Sequence, residues 1–126
     1  MPRARPATRI GRMPHAPIAR PLLAAALLAC ALGCASVEAT RLYESGSAAL
    51  DRGDAARAVA DLERAAALAP GASSIHNHLG IAYELAGRGD DAQRAYERAV
   101  ELDCDNHAAE ANLAALRERR SAAAAR

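Results

Sequence analysis

Val59, Leu62, Ala65, Ala66 and Ala69 lie three or four residues apart, the interval that brings side chains onto one face of an α-helix. This stretch therefore predicts an amphipathic helix, and helix punctuation brackets it. Gly53-Asp54 reads as a helix end followed by an N-cap, and Pro70-Gly71 closes the unit, because glycine accepts the left-handed closing conformation and proline cannot continue a helix. The device recurs: Gly87-Arg88-Gly89-Asp90 supplies a second end and start, and Ser73 or Ser74 can cap the helix between. Two glycines, Gly46 and Gly80, sit inside helical patterns, where each costs about 1 kcal/mol relative to Ala. Close approach of a partner helix would compensate, and Ala58 and Ala92 are small enough to be that partner.

The recurrence is a repeat. Residues 39–72 laid on 73–106 without a gap, a shift of 34, give eight identities: Gly46/Gly80, Ala48/Ala82, Gly53/Gly87, Ala58/Ala92, Glu63/Glu97, Arg64/Arg98, Ala65/Ala99 and Leu68/Leu102. The pattern resumes with Asn112-Leu113-Ala114, which fall at positions 6 to 8 of a third unit. A period of 34 with two helical halves resembles the tetratricopeptide repeat. Its marker positions fall in register: Leu42 at position 4, Leu79 at 7, Gly46 and Gly80 at 8, Tyr83 at 11, Ala58 and Ala92 at 20, Leu62 and Tyr96 at 24, Ala65 and Ala99 at 27, and Pro70 at 32. The departures are His76 at position 4, Ser45 at position 7 and Cys104 in place of the second proline. The resemblance implies an all-α fold of antiparallel helix-turn-helix repeats. Its two full repeats would span 39–72 and 73–106, followed by a capping helix at 107–120 and a disordered tail at 121–126. Arrays of this kind usually need about three repeats, so the domain is expected to be marginal alone or to gain stability as a homodimer or with a partner.

Composition sharpens this picture. The chain has no Phe, no Trp and three Tyr, so no large aromatic core is available, and its abundant alanine suits closely packed helices. All sixteen basic residues are Arg. Five of them (3, 5, 9, 12 and 20) fall in residues 1–33, which hold no acid; the remainder has eleven Arg against fifteen acids, a net charge of −4. An acidic body without interleaved aromatic and basic residues argues against nucleic-acid binding.

The basic beginning leads into Leu22–Gly33, twelve apolar residues without a charge. A membrane span needs about 20, so the run has the length of a signal-peptide core behind a basic region. Starting at Met13 gives a more typical leader length. Leu32-Gly33-Cys34-Ala35-Ser36 resembles the lipobox of bacterial lipoproteins, which implies a signal peptide over 1–33, lipidation of Cys34 and a short linker over 34–38. Cys30 is the alternative acceptor, since Leu27-Leu28-Ala29 precedes it; cleavage after Gly33 to give a soluble periplasmic protein is the other outcome. A lipid anchor would hold the chain by burial of methylenes, each contributing about 0.8 kcal/mol.

The densest chemistry is Asp103-Cys104-Asp105-Asn106-His107. A small metal- or thiol-dependent periplasmic protein using Cys104 and His107 is therefore an alternative function. Zinc sites recruit about four ligands, often from paired elements, and the body has a single C-x-x-H. His76 and His78 are two apart, so on a helix they point different ways. No nucleophile–base geometry, phosphate loop or nucleophile elbow is visible. In the 34-residue register the stretch is the joint before the capping helix. No catalytic residue, metal or cofactor is expected. The resemblance instead implies a concave groove lined by the first helices of successive repeats, which would bind an extended peptide or amphipathic helix of a protein partner. Carried onto this chain, it places Thr40, Tyr43, Glu44, Ser47, Leu50, Asp51, Ser74, Asn77, His78, Ile81, Glu84, Leu85, Ala108, Ala111 and Asn112 there. The family's chaperone-binding members hold a C-terminal carboxylate with Lys, Arg and Asn; the corresponding places here are Tyr43, Ser47, His78, Ala108 and Asn112, so that clamp is not implied.

Overall fold

The computed structural model describes residues 19–126, with side chains from Cys34 onward. Most of the expected signal peptide, including Met13, lies outside the described residues, and so does the Cys30 side chain. Five helices follow one another: α1 (Ala19–Asp51), α2 (Ala55–Leu68), α3 (Ser73–Leu85), α4 (Gly89–Leu102) and α5 (His107–Ala124). Among the described residues there is no strand. Helix α1 packs on α2 and α3 on α4. The two hairpins join through α2 against α3, and α5 covers α4. Helices α1 and α3 also touch, which sets the first helices of the repeats side by side.

The loops repeat with the sequence. Gly53 and Gly87 both sit at φ 73°, the left-handed conformation that glycine enters at least cost. Each lets the next amide reach back: Asp54 N–H donates to Ala49 O at 2.9 Å, and Arg88 N–H to Tyr83 O at 2.8 Å. These bonds satisfy carbonyls that the helix end leaves open. Asp54 then caps α2, its side chain accepting from Arg57 N–H at 3.1 Å. Helix α4 begins differently: Arg88, not Asp90, is its N-cap, and no side chain caps it. Asp90 and Asp91 instead lie in its first turn, where acidic residues complement the helix dipole.

Neither Ser73 nor Ser74 caps α3. Its N-cap is Ala72, without a side-chain bond. Ser73 Oγ donates to Ala99 O at 2.8 Å and accepts from Asn106 Nδ2 at 2.7 Å. Asn106 at the same time caps α5, its Oδ1 accepting from Ala109 N–H at 3.1 Å. One serine thus fastens the start of α3 to the end of α4 and to the joint leading into α5.

The core is continuous along the array. Leu42, Ala65 and Ile75 cluster at one end, Ala49, Ala58, Val59, Leu62, Leu79, Ala82 and Ala95 in the middle, and Ala92, Tyr96, Leu113 and Leu116 under α5. The helical glycines explain how so few large residues fill it. A Cβ on Gly46 would stand 2.6 Å from Leu62 Cγ, and one on Gly80 would stand 2.5 Å from Tyr96 Cδ1. The group that each glycine admits is therefore the large side chain at position 24, not the expected Ala58 or Ala92, although both alanines are fully buried.

The departures in the first and second repeats have structural reasons. Ser45 donates to the carboxylate of Asp61 at 2.7 Å, and Arg57 Nε approaches the same group at 3.4 Å. The pair 34 residues on is Leu79 and Ala95, both buried, so a polar contact in one repeat replaces an apolar one in the other. His76 sits half-buried at the position of Leu42, its ring Nε2 3.0 Å from Pro70 O, and Ile75 beside it takes the buried place.

Two boundaries differ from expectation. Residues 34–38 are not a linker but part of α1. They contain no helix breaker, and Glu38 is held by Arg41 at 2.7 Å and Arg64 at 3.7 Å. The tail is helical to Ala124, as a run of the best helix former favours. Among the described residues, no helix is long and apolar enough to cross a membrane.

Candidate interaction groove

Helices α1, α3 and α5 stand next to one another as the first helices of successive units. Side chains meet between them at a spacing of 35 residues. Tyr43 packs edge-on against His78, ring centroids 5.0 Å apart. Asn112 Nδ2 donates to Asn77 Oδ1 at 3.0 Å, and Arg119 pairs with Glu84. The spacing follows from the repeat: position 5 of one unit faces position 6 of the next, and position 12 faces position 13. Both partners of the first two pairs are sites expected from the sequence, and the structure joins them between neighbouring helices.

His78 is oriented from both sides. Its Nδ1 is 2.9 Å from Ser74 O. A carbonyl only accepts, so Nδ1 is the donor in that contact, and the Tyr43 hydroxyl lies 3.4 Å from both ring nitrogens.

Eight of the expected groove residues, Tyr43, Glu44, Ser47, Asn77, His78, Ile81, Glu84 and Asn112, divide into two sets. Asn77 is buried at 6 % exposure and spent on Asn112. Glu84 accepts from the Tyr96 hydroxyl at 2.7 Å as well as holding Arg119. These two act as fasteners, not as surface offered to a ligand. Burial, then the bond to Glu84, pushes the Tyr96 phenol above its ordinary range. Tyr43, Ser47, His78, Ile81 and Asn112 are half-exposed and Glu44 is exposed. The Ser47 hydroxyl oxygen is buried with no hydrogen-bond partner.

At the α1 end the groove deepens into a largely apolar cleft of about 290 Å³, lined by Ser36, Ala39, Thr40, Tyr43, Ala69, Ala72, Ser74 and Ile75. Thr40, Tyr43 and Ser74 were expected on this face. The alanines and Ile75 were not: Ala69 and Ala72 come from the inter-repeat loop, and Ala39 and Ile75 stand on α1 and α3 at positions that the repeat pattern does not mark as groove. The sequence signal for the first two is the small residues on either side of Pro70-Gly71.

Arginines hold the capping helix down. Arg117 reaches Glu97 at 2.8 Å, Arg119 reaches Glu84, and Arg120 reaches Asp90 and Gln93. The bond from Gln93, then that from Arg117, keeps the Glu97 carboxyl below its usual range. A second cluster ties α2 to the α3–α4 turn. The Tyr83 hydroxyl donates to Glu63 at 2.7 Å, and the Arg88 guanidinium lies 4.4 Å from the Tyr83 ring centroid. Burial, then the bond to Glu63, moves the Tyr83 phenol up to about 12.

Asp103–His107 forms the α4–α5 joint. Asp103 Oδ1 accepts from Asp105 N–H at 3.0 Å, Cys104 is an exposed free thiol, and exposed His107 faces Glu110 at 3.2 Å. Among the described residues, no three His, Cys, Asp or Glu side chains converge as a metal site would require. Cys34 is likewise exposed and free.

Residues 73–106, which form α3, α4 and the joint after them, match the family model of the tetratricopeptide repeat. With the five helices in their repeated hairpin order, this defines an all-α helical-repeat fold, a class that generally mediates protein–protein interaction. No curated protein matches the chain.

Proposed function

We propose that the protein is a non-enzymatic adaptor of the tetratricopeptide type that holds a segment of a partner protein, an extended peptide or a helix, along its concave face. The observation that carries this reading is the form of that face. Its floor is fixed by side-chain pairs between neighbouring helices, while exposed Glu44, half-exposed Ser47 and Ile81 and an apolar cleft stand beside it. A pre-organised groove loses little entropy when a ligand docks. The match of 73–106 to an interaction repeat supports the same reading.

In the same proposal, the adaptor is displayed in the bacterial cell envelope, facing the periplasm, by a lipid on Cys34, with Cys30 the alternative acceptor. Support comes from the lipobox-like Leu32-Gly33-Cys34 behind an apolar core and an Arg-rich start. The intact mass of membrane-extracted protein tests the anchor: a mass for 34–126 plus acyl groups is expected, and an unacylated chain refutes it. Co-purification tests the groove. Joint substitution Glu44→Arg and Ile81→Arg is expected to abolish partner recovery while Ala56→Arg on α2 leaves it intact; equal recovery from both refutes the groove.

A further inference from the structure

We infer that the groove selects an extended segment carrying an apolar residue and, two residues away, a lysine or arginine. The apolar side chain enters the cleft at the α1 end, and the cation meets Glu44. This rests on the groove reading above and adds the chemistry of the segment it takes.

Ala39, Ala69, Ala72 and Ile75 line the cleft with the Tyr43 ring, and hydroxyl residues stand among them. Thr40 Oγ1 donates to Ser36 O at 3.0 Å within its own helix, so its oxygen remains able to accept from a peptide N–H. An apolar side chain with backbone on either side suits such a lining; a charged one does not.

Among the described residues, Glu38, Asp61, Glu63, Glu84, Asp90, Asp91, Glu97, Glu101 and Glu110 each have a basic partner. Asp54 is spent as an N-cap and Asp103 on Asp105 N–H. Asp105 and Glu118, in the α4–α5 joint and on α5, have no such partner, and neither do Glu44 and Asp51 on the groove side of α1. Arg119 neutralises Glu84 at the far side of the groove, and Arg52 follows the last residue of α1 into the turn. The face beside the cleft therefore presents negative charge without its complement, which favours a cationic ligand and disfavours a carboxylate.

Geometry sets the spacing. Glu44 stands one turn beyond Thr40, which lines the cleft, and four helical residues advance about 6 Å. In an extended peptide, side chains two apart point the same way and are separated by about 6.6 Å. For a segment lying parallel to α1 at this end of the groove, an apolar residue in the cleft thus brings the side chain two places along over Glu44.

Selection from a phage-displayed library of random nine-residue peptides on the immobilised full chain tests this, followed by fluorescence anisotropy with the enriched sequences as labelled synthetic peptides. Glu44 and Ser74 are exposed, so Glu44→Arg and Ser74→Trp are expected to keep the wild-type circular dichroism. The expected result is enrichment of an apolar residue spaced by one from Lys or Arg, with affinity reduced about tenfold by Glu44→Arg and by Ser74→Trp. A peptide with Glu in place of its cation should recover binding to the Glu44→Arg protein. Enriched peptides that lack the spacing, or that ignore both substitutions, overturn the inference. If those peptides still lose binding to Ile81→Arg, the groove reading stands and only this specificity fails. If they ignore Ile81→Arg too, or no peptide is enriched, both fail.

Discussion

Replacing Gly80 by alanine sets two known effects against each other. In an exposed helix the change would add about 1 kcal/mol of stability. Here the new methyl would stand 2.5 Å from Tyr96 Cδ1 and 2.8 Å from Cζ, well inside van der Waals contact. The ring has little room to yield, because Tyr96 is 1 % exposed and its hydroxyl is tied to Glu84 at 2.7 Å. Overpacking a core costs about 1–3 kcal/mol, and a ring held at both ends belongs at the upper end. The net expectation is a loss of about 1–2 kcal/mol, or about 5–15 °C in melting temperature for a domain of this size. Urea titration followed at 222 nm measures it. Gly89→Ala is the control: α4 starts at Gly89, which has open space around its missing Cβ and no left-handed φ, so that change should be neutral or slightly stabilising. A Gly80→Ala protein as stable as the wild type would refute the account of how the repeats pack.

Asn106→Ala removes both a cap and the bond to Ser73 Oγ, so it should cost about 1–2 kcal/mol. A double-mutant cycle with Ser73→Ala should show coupling of about 0.5–1 kcal/mol. Ser45→Ala alone should destabilise by about 1 kcal/mol by leaving buried Asp61 a weaker environment; the pair Ser45→Leu with Asp61→Ala, copying Leu79 and Ala95, should recover that loss or exceed it. Tyr83 is protonated more tightly folded than unfolded, so its contribution is complete below pH 10 and lost as pH rises through about 12. Stability should therefore fall across that window, and less steeply in Tyr83→Phe.

The 34-residue register was legible because its marks are local. Gly53 and Gly87 end helices through their own backbone, and Asp54 caps the residues next to it. What the sequence concealed depends on neighbours brought in by packing within and between the hairpins. Gly46 and Gly80 suggested small residues opposite small ones, but each makes room for a large side chain, Leu62 or Tyr96. Ser73 has the composition of a cap, yet Asn106 comes from 33 residues away to claim its hydroxyl. Asn77 occupies a groove position, and the 35-residue pairing buries it against Asn112. The cleft was only partly foreseeable, because Ala69 and Ala72 of its wall come from the loop between repeats. The reading of Asp103–His107 as a joint, by contrast, followed from register alone, and the structure shows its Asn106 fastening three helices.

The central claim is that the concave face is the working surface. Site-specific photocrosslinking in cells tests it most directly, with a benzophenone amino acid placed at Ser47 or Ile81 in the groove and at Ala56 or Arg94 on exposed faces of α2 and α4. Crosslinks from both groove positions to one and the same protein, through one contiguous segment of it and absent from the two control positions, are the predicted result. Equal crosslinking from the controls, or groove probes that capture nothing while the controls capture a partner, would contradict the account.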